Sequence, residues 1–198
     1  IAGGTNYFNE VLQRITKDPS ITVEIFTSKH ATVPTSVAQG AKVHQSVLSG
    51  PRWFPEGALK NRLRSLKNSL EASLLKARMG NARDSLFHST YYTLAPWTNI
   101  PEVSTIYDMI PERFSEFAHL PHNVTLVKNK RKCIERASHM IAISEQSKKD
   151  LCEFYSVSPD KVDVIHLGVD NEFYRGASKK IFEFPYMLYV GGRLNHKN

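Results

Sequence analysis

HMIAISEQSKKDLCEFYSVSPDKVDVIHL, residues His139–Leu167, reads as strand, helix, strand. His139–Ser144 is a short apolar run of the length a buried strand needs, Glu145–Phe154 is helical, and Lys161–Leu167 is again β-branched and short. Working outward, the alternation continues. Upstream lie the strand-like Ser85–Ser89 and Val103–Tyr107 and a helical Pro121–Ala137; downstream lies the apolar Pro185–Val190. Nearer the start, Phe8, Val11, Leu12 and Ile15 mark one face of a helix over Thr5–Ile15. Thr22–Thr27 reads as a strand, and Ala41–Val47 as a weaker one. Leu59, Leu63, Leu66, Leu70 and Leu74 give one apolar face to a long helix over Leu59–Met79, stopped by Gly80-Asn81. Strands alternating with helices predict an α/β fold: a Rossmann-like parallel sheet with helices on both faces.

Composition narrows the function. The chain has 198 residues, of which 41% are hydrophobic and 23% charged, as in an ordinary globular protein rather than a disordered or collagen-like one. Lys and Arg total 26 against 19 Asp and Glu, and the net charge of +7 suits an anionic partner. No apolar run approaches the roughly 18 residues of a membrane-spanning helix. Residues Ile1–Glu10 have neither the charged nor the apolar part of a secretory signal. Two cysteines, Cys133 and Cys152, make no metal-ligand cluster and no disulfide scaffold, so a reducing cytoplasmic setting is expected. The first residue, Ile1, and the abrupt stop at Asn198 lead us to expect a piece of a longer protein.

Several residues sit where chemistry is expected. Gly3-Gly4-Thr5 precedes the first helix: either a phosphate or sugar meets its backbone amides, or it is a turn with Thr5 as N-cap. Gly191-Gly192-Arg193 and Lys197 follow the last strand, where Arg and Lys could neutralise a diphosphate; the alternative is a solvated turn. Asp108 closes the strand Val103–Tyr107, and either faces a cleft or is an N-cap or turn residue of the segment that follows. Arg52-Trp53-Phe54 is an exposed aromatic loop or a core plug. His119 and His122 lack a third ligand, and no Asp-x-Asp pair is present to hold a metal-bridged diphosphate, so no metal site is expected. Basic side chains cluster at Lys60, Arg62, Arg64, Lys67, Lys76 and Arg78, and again at Lys128, Lys130, Arg131 and Lys132. Both clusters read as solvated polar faces, with an anionic substrate or an acidic membrane surface as the alternative. Nucleic acid is not expected, because neither interleaved stacking aromatics nor a known binding module occurs.

From Thr105 onward the chain resembles the retaining glycosyltransferases of family 4 (glycosyl transferases group 1), which have the GT-B fold. TIYDMIPERF (Thr105–Phe114), IERASHMIAISEQSKKDL (Ile134–Leu151), KVDVIHLGVDNEFY (Lys161–Tyr174) and PYMLYVGGRLNHKN (Pro185–Asn198) carry the resemblance, together with the opening IAGGTNYFNEVL. FHSTYYTLAPW (Phe87–Trp97) fits the variety acting on mannose or related sugars in polysaccharide assembly.

The resemblance implies one half of a GT-B enzyme. Residues 1–170 would form a Rossmann-like acceptor-binding domain lacking its first strand. Residues 171–184 would be a linker, and 185–198 the first strand and loop of a nucleotide-sugar-binding domain. The implied activity is metal-independent transfer of a hexose, mannose-like by preference, from a GDP- or UDP-linked sugar to a glycan or lipid-linked acceptor of the cell envelope. No further cofactor is implied. The implied location is the cytoplasm, with a peripheral contact at the inner face of the plasma membrane. Gly3, Gly4, Arg193 and Lys197 would hold the donor diphosphate, Asp108 would orient substrate, and Tyr107 and Ser144 would line the cleft. Many relatives have His where this chain has Tyr107. On its own the chain is expected to be inactive. The competing reading is a non-catalytic module that binds polysaccharide or phosphate.

Overall fold

The computed structural model describes residues 2–27, 32–45, 70, 73–74, 77, 84–95, 99–168 and 182–187. The chain divides into two compact units, Ile1–Leu167 and Gly168–Asn198. In the first unit, helix α1 (Ala2–Ile15) leads to strands β1 (Val23–Thr27) and β2 (Ala41–Gln45), which pair in parallel. A short helix α2 (Thr35–Ala38) lies between them. A second, four-stranded sheet follows, in the order β3 (Phe87–Ser89), β4 (Glu102–Ile106), β5 (His139–Ala142), β6 (Val162–Val164). Every pairing in it is parallel. Short helices α3 (Ile110–Arg113) and α4 (Ser115–Ala118) and the long α5 (Pro121–Arg136) connect β4 to β5, and α6 (Glu145–Tyr155) connects β5 to β6. The chain is thus α/β with parallel sheets, as its alternating pattern requires.

Burial explains the strand sequences. β4 is interior: Glu102, Ser104, Thr105 and Ile106 are all buried, so its side chains must be satisfied on both faces. Glu102 meets this with an ion pair to Arg136 near the end of α5. Ile106, Met140, Leu151 and Val162 are all under 2% exposed and bring strands and helices into one apolar cluster. Phe26 of β1 and Phe87 of β3 pack on Ala95 and Ile100, joining the regions of the two sheets. Helix α6 starts at Ser144, whose hydroxyl accepts from the Ser147 amide at 3.1 Å, and ends at Ser156, in the left-handed conformation at φ 53°. Pro121 opens α5 at a position where its missing N–H costs nothing.

Four expectations are corrected. Helix α1 begins at Ala2, so Gly3, Gly4 and Thr5 lie in its first turn rather than in a turn before it. Thr5 is thus inside the helix and not at its N-cap position. β4 ends at Ile106, so Tyr107 and Asp108 belong to the following loop and not to the strand. Lys130 is fully buried and no part of a solvated face, whereas Lys128, Arg131 and Lys132 beside it are exposed. Of the expected leucine face, Leu70 and Leu74 are described and both are exposed, at 59% and 49%. The other three leucines of that face, Arg52-Trp53-Phe54, Arg193 and Lys197 lie outside the described residues, as does all but the start of the expected strand Pro185–Val190. In the second unit, Phe182, Phe184 and Tyr186 form an aromatic cluster with ring centroids 5.2–6.5 Å apart. No helix among the described residues is long and apolar enough to cross a membrane.

One close approach fixes α1 against the turn into β2. A Cβ at Gly40 would lie 2.6 Å from Thr16 Cβ and 3.1 Å from the Thr16 carbonyl oxygen. Gly40→Ala should therefore destabilise the chain by about 1–3 kcal/mol through overpacking, read as a lower urea midpoint. An unchanged midpoint would show that α1 and this turn separate freely.

Candidate active site

Parallel strands deliver all their carboxyl ends to one edge of a sheet, and α/β proteins bind ligands there. In the four-stranded sheet that edge carries residues 90–92 after β3, 107–109 after β4, Ser144 after β5 and His166 after β6. The first two loops are built around tyrosines. Thr93 N–H donates to Ser89 Oγ at 2.8 Å, closing the chain back on the end of β3. Tyr92 sits in the left-handed region at φ 49° and is 5% exposed. A bulky residue holds that backbone conformation only where its surroundings enforce it. Here the enforcement is burial in the main apolar cluster and a hydrogen bond from the Tyr107 amide to Tyr92 Oη at 3.4 Å. Burial drives the Tyr92 phenol well above its usual pKa, and the Asp108 carboxylate adds to the effect.

Tyr107 crosses from one loop to the other. Its hydroxyl donates to the Thr90 carbonyl at 3.2 Å, and its ring lies 6.1 Å from that of Tyr91. Half-burial, with the neighbouring Tyr7 and Tyr91 phenols, raises its pKa far enough that it stays a neutral donor. The Tyr107 carbonyl accepts from Ser147 Oγ at 3.1 Å. Ser147 Oγ in turn accepts from Ser144 Oγ at 3.1 Å. Ser144 thus donates and accepts within the first turn of α6, and it bears on the β4 loop through Ser147.

Asp108 is exposed, and its Oδ1 accepts from the Ile110 amide at 3.1 Å, an Asx turn that leads into α3. Met109, not Asp108, is the N-cap of α3, and Asp108 is a turn residue whose carboxylate stands at the rim of the sheet. Behind it, Lys130 Nζ reaches from α5 to the Asp108 carbonyl at 2.8 Å and to Glu112 Oε2 at 3.0 Å. Glu112 Oε1 accepts from Tyr155 Oη at 2.7 Å. Lys130 Nζ also lies 5.4 Å from the centre of the Tyr92 ring.

The structure therefore brings together Tyr107, Asp108 and Ser144 of the expected site. Gly3 and Gly4 occupy the first turn of α1, where helix amides have no intrahelical acceptor. Arg193 and Lys197 cannot be placed beside them, because they lie outside the described residues. Sequence reading missed Tyr92, Glu112, Lys130 and Ser147. For Lys130 a signal existed: Asn123, Lys130, Cys133 and Ile134 are the buried positions of α5 and share one helical face, so the lysine falls on the inward stripe. Among the described residues no three His, Cys, Asp or Glu side chains gather as metal ligands. Cys133 and Cys152 are both free thiols.

Residues 1–173 match the sequence profile of Glycosyltransferase Family 4. A D-inositol 3-phosphate glycosyltransferase of Salinispora arenicola (strain CNS-205) is 28% identical over 183 residues, covering 85% of this chain and 40% of the relative. A protein of the same name from Kribbella flavida (strain DSM 17836) is 27% identical over 192 residues, 87% of this chain and 43% of the relative. Another, from Kineococcus radiotolerans (strain ATCC BAA-149), is 26% identical over 214 residues, 96% of this chain and 48% of the relative. The chain spans less than half the length of each of these three relatives.

On β3, His88 Nε2 lies 2.9 Å from the hydroxyl of the fully buried Thr105, and its ring meets Phe8 edge-on at 5.1 Å. Burial lowers the His88 pKa, so the folded chain binds a proton less readily than an unfolded imidazole of about 6.5. The stability this contributes is present above that value and is lost as pH falls through the lower, folded one. Urea unfolding of the wild type and of His88→Gln between pH 7.5 and about 5 should show a shallower decline in the variant. Equal slopes would remove His88 as a source of the acid sensitivity.

Proposed function

Because the chain belongs to glycosyltransferase family 4, we propose that it is the acceptor-side part of a retaining enzyme. That enzyme moves a hexose, mannose-like by preference, from a GDP- or UDP-linked donor to a glycan or lipid-linked acceptor. The observation that carries this reading is the Asp108 carboxylate, held at the carboxyl end of β4 on a loop anchored both by Ser147 and by Lys130. A carboxylate at such a rim can accept a hydrogen bond from a sugar hydroxyl and so orient the acceptor. Positioning of that kind is a large share of what a transferase contributes to rate.

The leaving group is a nucleoside diphosphate, and its charge must be met as the glycosidic bond breaks. In this reading Arg193 and Lys197 meet it, with the amides of Gly3 and Gly4. Attack and departure occur on the same face of the donor sugar, and the departing phosphate takes the acceptor proton. Asp108 then orients the acceptor and forms no covalent bond. Tyr107 and Ser144 shape the cleft floor through the contacts described above. In this reading the transfer is metal-independent, the diphosphate charge being met by Arg193, Lys197 and the helix amides. A peripheral contact with an acidic membrane surface, through the clustered basic residues, would bring a lipid-linked acceptor within reach.

A second reading concerns the acceptor. The relatives reported above are named for D-inositol 3-phosphate. A phosphorylated polyol, attracted by the net charge of +7, is therefore the competing acceptor class. Transfer assays on the full-length protein with both acceptor classes separate the two.

In that protein, Arg193→Ala should slow transfer by about 30- to 1000-fold relative to Asn99→Ala, the cost of losing one charged contact to the leaving group. Equal rates at subsaturating donor would remove the diphosphate role. Transfer should also survive excess EDTA; complete loss, restored by Mn²⁺ or Mg²⁺, would overturn metal independence.

A further inference from the structure

Lys130 has no exposed surface, and Glu112 beside it is 8% exposed. Replacing such a pair by apolar side chains of similar volume is often neutral or stabilising, because desolvation offsets the attraction. Stability alone is thus a weak reason for a charge here. What distinguishes this lysine is where its protons go. Nζ donates to the Asp108 carbonyl at 2.8 Å and to Glu112 Oε2 at 3.0 Å, and it lies 3.8 Å from Met109 Sδ. All three partners belong to the segment that leaves β4.

The contact sorts the two oxygen-bearing groups of Asp108. Its carbonyl is drawn inward to the ammonium, while its carboxylate stays at the rim, where Oδ1 takes the Ile110 amide. Glu112 fixes the ammonium in turn, and Tyr155 fixes Glu112 by donating to its other oxygen at 2.7 Å. The chain Tyr155–Glu112–Lys130 therefore runs from the last turn of α6, through α3, into α5, and ends on the backbone of Asp108. From this we infer that Lys130 is a positioning residue: it acts through the Asp108 carbonyl to hold the Asp108 carboxylate where the acceptor is oriented.

This inference rests on the acceptor-orienting role proposed for Asp108, and the test separates the two. Lys130→Met alone would leave Glu112 buried and uncompensated, so the informative variant is Lys130→Met/Glu112→Leu, an apolar pair. In the full-length protein, kinetics at varied acceptor are compared for the wild type, this double variant, Asp108→Asn and the triple combination. The double variant should keep a cooperative thermal transition yet lose about 10- to 100-fold in kcat/KM for the acceptor, the cost of a displacement on the order of 1 Å. In the Asp108→Asn background the same replacement should cost less than about threefold, because groups acting as one unit are not additive. Tyr155→Phe removes only the phenol donor to Glu112. It should cost about two- to tenfold, with the same disappearance in Asp108→Asn, and it carries the test if the double variant does not fold.

Wild-type kcat/KM in a folded double variant, or an equal loss with and without the Asp108 carboxylate, overturns the positioning role. An unimpaired Asp108→Asn overturns the acceptor-orienting role and the inference with it. A slow Asp108→Asn beside a fast double variant overturns the inference alone.

Discussion

Lys130 carries its ammonium group to a place with no access to solvent, where an unpaired charge would cost several kcal/mol. The Glu112 carboxylate and the Asp108 carbonyl answer that demand, and both lie in the segment that follows β4. Satisfying one cation therefore fixes the path of the chain out of the central strand. It also ties α3 to α5, and through Tyr155 to α6. The aromatic face of Tyr92 near the ammonium adds a fourth neighbour, and it comes from the loop after β3.

The same loop is held from its other side by uncharged contacts. Ser147 reaches the Tyr107 carbonyl, and Tyr92 Oη takes the Tyr107 amide. Residues 107 and 108 are thus anchored through their backbone groups from α5, α6 and the β3 loop. Their side chains are left to face the rim: the Tyr107 ring toward Tyr91, the Asp108 carboxylate toward solvent and the α3 amide. On the reading proposed above, the groups that would meet substrate are thus carried on backbone that is fixed from three sides. The left-handed backbone of Tyr92 fits the pattern, since local strain of this kind persists where the surroundings over-determine it.

Farther from the site, ion pairs tie the helices to the sheet and to one another. Arg136 of α5 pairs with the buried Glu102 at the start of β4, and Arg113 of α3 makes a forked contact to Asp150 of α6. The Arg113 guanidinium holds the Asp150 carboxyl below its usual pKa, with Gln146 contributing a further hydrogen bond. β4 is thereby braced at both ends, by Arg136 where it begins and by Lys130 just beyond where it finishes.

The amino-acid sequence by itself determined the alternation of strands and helices, the parallel α/β class and the family. These follow from local periodicity and from motifs such as Thr105–Phe114 and Ile134–Leu151, which are contiguous in the chain. The sequence also marked Asp108 as the residue that follows an apolar strand, and the structure places it in the loop after β4. The fate of individual charges was not legible that way. Lys128, Lys130, Arg131 and Lys132 look alike as a run of cations, but the helix turns Lys130 alone inward, and the segment that follows β4 supplies its acceptors. Gly3 and Gly4 suggested a loop, and α1 absorbs them into its first turn. Pairing Ser147 with Tyr107 across 40 residues required the β4–β5 register to bring those ends together. Periodicity is a property of neighbours in the chain, so it fixes the elements. Which buried polar group answers which is a property of neighbours in space, and only the tertiary structure decided it.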